Sequence, residues 1–229
     1  MFEGNIFGSL DQKLQHAVAD AGYKTPTPIQ EQAVPYLLKG RDLIGCAQTG
    51  TGKTAAFMLP ILNHLVKNRR PRHIGHPRAL VLSPTRELAA QTAENVAKYS
   101  KYAGLPFAVV FGGVSQVPQV KALKKGAETV IATPGRLMDL MTQGHVFLDK
   151  VELFVLDEAD RMLDMGFIHD VKKVIAHLPK KRQTLFFSAT MPPEVMDLVN
   201  NLLQLLFRHN DIGIIATGFL VIVSLMVVV

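Results

Sequence analysis

A lysine and a threonine close the stretch Ala47-Gln48-Thr49-Gly50-Thr51-Gly52-Lys53-Thr54, and two adjacent acids lie in Val155-Leu156-Asp157-Glu158-Ala159-Asp160. These are the side chains of this chain best suited to act together. Gly50 and Gly52 let the backbone curl with its amide hydrogens inward, and a helix starting at Lys53 adds its positive N-terminal end to the same concavity. A polyphosphate fits such a cradle. Lys53 can reach the terminal phosphates as a point charge, and the Thr54 hydroxyl can ligate a magnesium ion. Asp157 can hold the same ion while Glu158 orients and deprotonates an attacking water. On these residues alone two plainer roles stay open: a Gly-rich turn for the first stretch, which has Ala47 where the strict pattern has glycine, and helix capping for the acids.

Elements must deliver both stretches to one place. The apolar runs read as strands buried on both faces, near 42–46, 79–83, 107–111, 128–132, 153–157 and 184–188. Helical patterns at 53–66, 86–101, 116–125, 134–143, 166–177 and 193–205 alternate with them. That rhythm predicts an α/β fold with a mostly parallel sheet wrapped by helices through right-handed crossovers. In such sheets ligands sit beyond the C-terminal strand ends, where Asp157 falls.

The 229 residues, 48% of them apolar, suit a sizeable core. A single cysteine, Cys46, excludes an intramolecular disulfide and, in a predicted strand, reads as a small buried hydrophobe. The N-terminus has no basic region leading into an apolar stretch, which points to a cytoplasmic protein. A net charge of +6 suits a polyanionic partner. The insert from Lys67 to Arg78, rich in Lys, Arg, Pro and His, reads as a solvated surface loop.

Several further segments occur in one order: Phe7, Gly22-Tyr23-Lys24-Thr25-Pro26-Thr27-Pro28-Ile29-Gln30, the phosphate loop, Pro84-Thr85-Arg86-Glu87-Leu88-Ala89, Gly112-Gly113, Thr133-Pro134-Gly135-Arg136, Asp157-Glu158-Ala159-Asp160 and Ser188-Ala189-Thr190. From Phe7 to Leu203 the chain resembles the DEAD-box RNA helicases, whose pattern accepts Ala at position 47. The resemblance implies a RecA-like P-loop three-layer sandwich over residues 1–205, with ATP and Mg2+ as cofactors and RNA as partner. Lys53, Asp157 and Glu158 would be catalytic, with Thr54 and Asp157 on the metal. Phe7, Lys24, Gln30, Thr49, Gly50, Thr51, Gly52, Lys53 and Thr54 would hold the nucleotide, Gln30 reading the adenine edge through its amide and Phe7 stacking on the base. Without the family, Phe7 reads as a core residue and Gln30 as a polar group at a helix start.

The same resemblance implies sequence-independent contacts to the RNA backbone from Pro84, Thr85, Arg86, Gly112, Gly113, Thr133, Pro134, Gly135 and Arg136. Capping by Thr85 and Thr133 and tight turns at the glycines are compatible with that role. Glu87 is expected to pair with an arginine. Ser188 and Thr190 would hydrogen-bond Asp160 and couple the ATP site to the rest of the protein.

Residues 206–229 depart from the pattern. In place of a linker and second helicase lobe stands an uncharged run from Ile212 to Val229, which as a helix would span roughly 27 Å, close to a bilayer core of about 30 Å. Its β-branched content and the absence of a flanking basic cluster favour a truncated or frame-shifted product over a membrane anchor, and docking on the lobe is a third option. The family also implies that arginines of the second lobe support hydrolysis, so weak ATP turnover and no unwinding are expected of this chain alone. A non-catalytic module binding RNA or a protein partner is the alternative.

Overall fold

The computed structural model describes residues 2, 4–48, 50–206 and 212–216, those from 201 onward as backbone only. Seven strands are present among them: β1 (Asp42–Cys46), β2 (Ala79–Leu82), β3 (Phe107–Val110), β4 (Thr129–Ala132), β5 (Leu153–Leu156), β6 (Gln183–Ser188) and β7 (Ile212–Ala216). They form one sheet in the order β3-β4-β2-β5-β6-β1-β7, with every pairing parallel. Around it lie a 3-10 turn (Ile6–Ser9), α1 (Gln12–Asp20), α2 (Pro28–Leu38), α3 (Lys53–Lys67), α4 (Arg86–Tyr99), α5 (Val117–Lys124), α6 (Pro134–Thr142), α7 (Ala159–Asp164), α8 (Ile168–Ala176) and α9 (Pro193–Leu206).

Alternation along each strand divides the core into two layers. Leu43, Val81, Ile131, Val155 and Leu185 face one group of helices with Phe57, Leu59 and Val96. Their neighbours Ile44, Leu80, Val130, Phe154 and Phe186 face the other, with Leu137, Met162 and Val174. Successive side chains point to opposite faces, so strands covered on both sides read as continuous apolar runs. β1 takes this packing to its limit at Gly45, where a Cβ would lie 2.6 Å from two ring carbons of the buried Phe187. Gly45→Ala should therefore cost about 1–3 kcal/mol through overpacking, read as a lower urea midpoint.

All six expected strands are present, with ends shifted by a residue at most. Three helices lie outside the six predicted helical ranges. Asp11 caps α1 by accepting from Lys13 N, and α2 opens with Thr27 N–H donating to Gln30 Oε1 and Pro28 in its first turn. α7 is a short extra turn that starts directly after the acidic pair, ahead of the helix expected at 166–177.

The insert 67–78 is more constrained than a solvated loop. Its backbone is exposed as far as Ile74, yet Arg72 pairs with Glu128, and Arg70 and Arg78 pair with Glu152, Arg78 through two nitrogens at 2.8 and 3.1 Å. These acids precede β4 and β5, so the arginines strap the insert to the edge opposite the strand ends that carry the motifs.

At the other end of the chain, Ile212–Ala216 forms a strand beside β1, where the sequence reading considers a helix starting at Ile212. β-branched Ile212, Ile214 and Ile215 favour the pleated conformation. The remainder of the apolar run, 217–229, and residues 207–211 lie outside the described residues. No helix among the described residues is long and apolar enough to cross a membrane.

Candidate functional site

Because every strand runs the same way, all the motif-bearing strand ends meet along one edge of the sheet. Strand order then sorts them. β3, β4 and β2 are adjacent and lead into Gly112-Gly113, Thr133–Arg136 and Pro84–Arg86, while β5, β6 and β1 are adjacent and lead into Asp157-Glu158, Ser188–Thr190 and the phosphate loop.

In that second half, the loop leaves β1 at Ala47, whose N–H donates to Ser188 O at 3.1 Å. Gly50 and Gly52 have φ of +82° and +90°, and Gly52 is the N-cap of α3. Left-handed backbone of this kind suits glycine. Thr51 Oγ1 donates to Gln48 O, Thr54 is half-buried in the first turn of α3, and Thr49 lies outside the described residues. Lys53 projects inward and is 6% exposed.

Opposite Lys53, Asp157 follows β5 with its N–H on Leu82 O. Glu158 then takes φ +55°, the one positive value at a non-glycine among the described residues. Strain of this kind persists where the surroundings enforce it, often in functional sites. The turn brings both carboxylates to one ammonium: Lys53 Nζ lies 3.6 Å from Asp157 Oδ1 and 3.9 Å from Glu158 Oε1. Burial pushes the Asp157 carboxyl up to about 6, with Lys53 opposing the rise and the charge of Glu158 adding to it.

Lys53 Nζ and Asp157 Oδ1 are buried with no hydrogen-bond partner. Buried groups left in this state are costly, and their chemistry says what satisfies them: phosphate oxygens for the ammonium and a hard cation for the carboxylate. Asp157, with the hydroxyl of Thr54 that follows Lys53 in the chain, is a donor set that fits magnesium.

Gln30 reaches this loop from α2. Its Oε1 accepts from Thr27 N at 3.0 Å and its Nε2 donates to Gly52 O at 3.2 Å, with the side chain essentially enclosed. The amide is thus committed at both ends, its oxygen to the start of α2 and its nitrogen to the loop. Thr27, which the sequence reading assigned no role, also abuts Gly52, and its hydroxyl is buried and unpartnered; its spacing of three residues before Gln30 was its sequence signal.

Phe7 requires a correction. Its ring is fully buried, edge-on to Phe2 at 5.4 Å and to Tyr23 at 5.9 Å, so it is a core residue here and offers no face to a base. Phe2 is the residue that changes the expectation, by packing on the ring. Lys24 is exposed on the same segment, its carbonyl accepting from Asn5 Nδ2.

Asp160 follows the pair on α7. Thr190 donates to its Oδ2 through both N–H (2.8 Å) and Oγ1 (2.9 Å), while Asp160 N–H donates to Ser188 Oγ at 3.1 Å. Burial works against the Asp160 charge, but these donors outweigh it and hold the carboxyl below its usual range.

In the other half of the edge, Thr85 Oγ1 caps α4 by accepting from Leu88 N–H, Pro84 is buried, and Arg86 is exposed and paired with Glu87. Thr133 is the N-cap of α6, Pro134 is buried in its first turn, and Gly135 is half-buried beside it. Arg136 donates from both terminal nitrogens to Val114 O at 3.2 and 3.3 Å, so its guanidinium is engaged by the neighbouring loop. Gly113 has φ +79°, and Arg86 lies against it.

A glycine-built loop with an enclosed lysine and two carboxylates, on one edge of a parallel sheet, is the arrangement of a P-loop nucleotide-binding fold. The family model described as DEAD/DEAH box helicase matches residues 27–198, and the chain belongs to that family. It is 50% identical over 194 residues to the ATP-dependent RNA helicase RhlB of Pseudomonas putida, covering 82% of this chain and 49% of that protein. The DEAD-box ATP-dependent RNA helicase 30 of rice is 47% identical over 82% of this chain and 28% of its own length. Among solved structures, a DEAD box protein from Methanococcus jannaschii superposes with a TM-score of 0.81 at 36% identity, over 91% of this chain and 54% of that one. The chain thus spans about half the length of the RhlB relative, and its neighbours confirm the RecA-like helicase fold.

Proposed function

We propose that this chain is the ATP- and RNA-binding lobe of a DEAD-box RNA helicase. The observation that carries this is the buried cluster of Lys53, Asp157 and Glu158, in which an ammonium and a carboxylate oxygen lack hydrogen-bond partners beside a loop built on Gly50 and Gly52. Lys53 and the loop amides bind the phosphates, Thr54 and Asp157 hold magnesium, and Gln30 braces the loop from the adenine side. Bound magnesium neutralises charge on the phosphates. Glu158 orients the attacking water and accepts its proton, its strained backbone keeping the carboxylate aimed inward. Asp160, Ser188 and Thr190 carry the state of this pocket toward the end of β6.

In this reading the RNA backbone lies along the β3-β4-β2 half of the edge, touched by Arg86, the Gly112-Gly113 loop and the start of α6. Contacts to phosphate and ribose make the binding independent of base sequence. Hydrolysis at full rate and strand separation need a second RecA-like lobe to close over both ligands, and arginines supplied in this way are typically worth about 10³–10⁵ in rate.

The test is direct binding. A fluorescent ATP analogue should bind the chain only with magnesium, and a labelled single-stranded oligouridylate should bind with an affinity that falls as salt rises. Arg86→Ala should reduce the slope of log K against log salt by about one, for one lost phosphate contact. If neither ligand binds at micromolar protein, the reading is wrong; RNA binding that survives without any nucleotide binding supports a non-catalytic module instead.

A further inference from the structure

We propose that Gln119 is a positioning residue for the RNA backbone, acting through the Gly112-Gly113 loop without touching RNA itself; the proposal rests on the RNA-binding reading above. The loop from Phe111 to Gln116 connects β3 to α5. Gln119 lies in α5 beneath it, 7% exposed, and its Nε2 donates to Phe111 O at 3.0 Å and to Ser115 O at 3.4 Å, one carbonyl on each side of the two glycines. Its Oε1 is buried without a partner. The fold thus leaves an acceptor unsatisfied while both donor contacts of the amide hold the loop.

Arg136 completes the arrangement by donating twice to Val114 O. Three carbonyls of the loop are therefore bound by side-chain donors from α5 and α6. Its N–H groups are left free: those of Gly112, Gly113 and Val114 donate to no group among the described residues. With Gly113 at φ +79°, a loop whose carbonyls are pinned presents its amides outward. Successive free N–H groups of this kind form an anion-binding concavity. An amide pair between Gln116 and Gln143, at 2.8 and 3.3 Å, fixes the far end of the loop to the end of α6.

This division of labour has a distinct thermodynamic signature. A backbone amide binds phosphate without neutralising it, so losing such a contact weakens affinity and leaves counterion release unchanged, whereas losing an arginine contact lowers the salt slope. The experiment uses the full chain with fluorescein-labelled decauridylate in anisotropy titrations at several KCl concentrations, a fluorescent ATP analogue with magnesium, and ¹H–¹⁵N spectra.

Gln119→Leu keeps the bulk and removes the donors. It should raise the RNA Kd about tenfold, the loss expected for a hydrogen bond to a charged group. The salt slope and the ATP-analogue affinity should stay at parental values, while the amide resonances of Gly112, Gly113 and Val114 shift or broaden. Should that variant fail to fold, Gln119→Glu serves as the second case, since it keeps the shape and turns a donor into an acceptor facing carbonyls. Unchanged loop resonances, unchanged RNA affinity, or a salt slope lower by about one would overturn the proposal. If the parent chain does not bind decauridylate, the RNA reading fails on that observation, and the loop resonances still decide whether Gln119 orders the loop.

Discussion

Replacing Asp157 with Asn is expected to stabilise the fold while abolishing magnesium-dependent nucleotide binding. Asp157 is buried, and its carboxyl titrates near 6 in the folded chain against 3.8 for the ordinary group. A proton held more tightly when folded means that the ionised form costs stability, by about 3 kcal/mol for a difference of this size. That cost is present in full above pH 6, shrinks as the pH falls through 6, and is gone below 3.8. Asp157→Asn imitates the neutral form, so its gain in melting temperature should be largest at pH 7–8 and narrower at pH 5. A fluorescent ATP analogue should lose its magnesium dependence in the same variant, because an amide oxygen is a poorer ligand for a hard cation. Thermal melts across that pH range decide the point: a variant less stable than the parent at pH 8 would show that Asp157 serves the fold.

Lys53→Ala should have the opposite effect on stability and a larger one on binding. Lys53 is the only ammonium within 4 Å of both Asp157 and Glu158 among the described residues. Removing it leaves the enclosed Asp157 carboxylate without its counter-charge, while Glu158 keeps only Arg161 at 3.5 Å, and breaking a buried pair in this way typically costs about 3–5 kcal/mol. Part of that cost is relieved because Asp157 takes up a proton: without Lys53 its carboxyl moves higher still. The variant should therefore melt lower than the parent at pH 8 and recover part of the difference at pH 5.5. Nucleotide affinity should fall at least about a hundredfold, since the phosphates lose a desolvated charge partner. Isothermal titration with Mg-ATP measures it; an affinity within threefold of the parent would remove Lys53 from the site.

Together the two variants separate what the cluster does for ligands from what it costs the fold. Proteins often accept such local cost where a site must be ready for a charged ligand. The strained turn at Glu158 belongs to the same account, because it directs a second carboxylate at Lys53 at the expense of relaxed backbone.

Much of this site can be read from the chain itself. Lys53, Thr54, Asp157 and Glu158 declare their chemistry by type, and the apolar runs before them, 42–46 and 153–156, mark buried strands. The bonds from Thr190 and Ser188 to Asp160 and the pairing of Arg86 with Glu87 were also legible, the first through family resemblance and the second through charge. For Phe7 the residue type gave the core position and the resemblance a stacking role, and for Arg136 the bond to Val114 was not legible. Both are of residue types that can meet a ligand, and whether a ring is covered or a guanidinium already engaged depends on groups elsewhere in the chain, Phe2 and Val114.

The sequence by itself determined the chemical groups and, through parallel strands, the single edge on which they emerge. Tertiary structure alone decided how that edge is divided. All six strands are short and largely apolar, so nothing local says that β3, β4 and β2 lie together on one side and β5, β6 and β1 on the other. That order, set by packing between residues far apart in the chain, is what puts the Lys53–Asp157–Glu158 cluster on one half of the edge and the loop bound by Gln119 and Arg136 on the other.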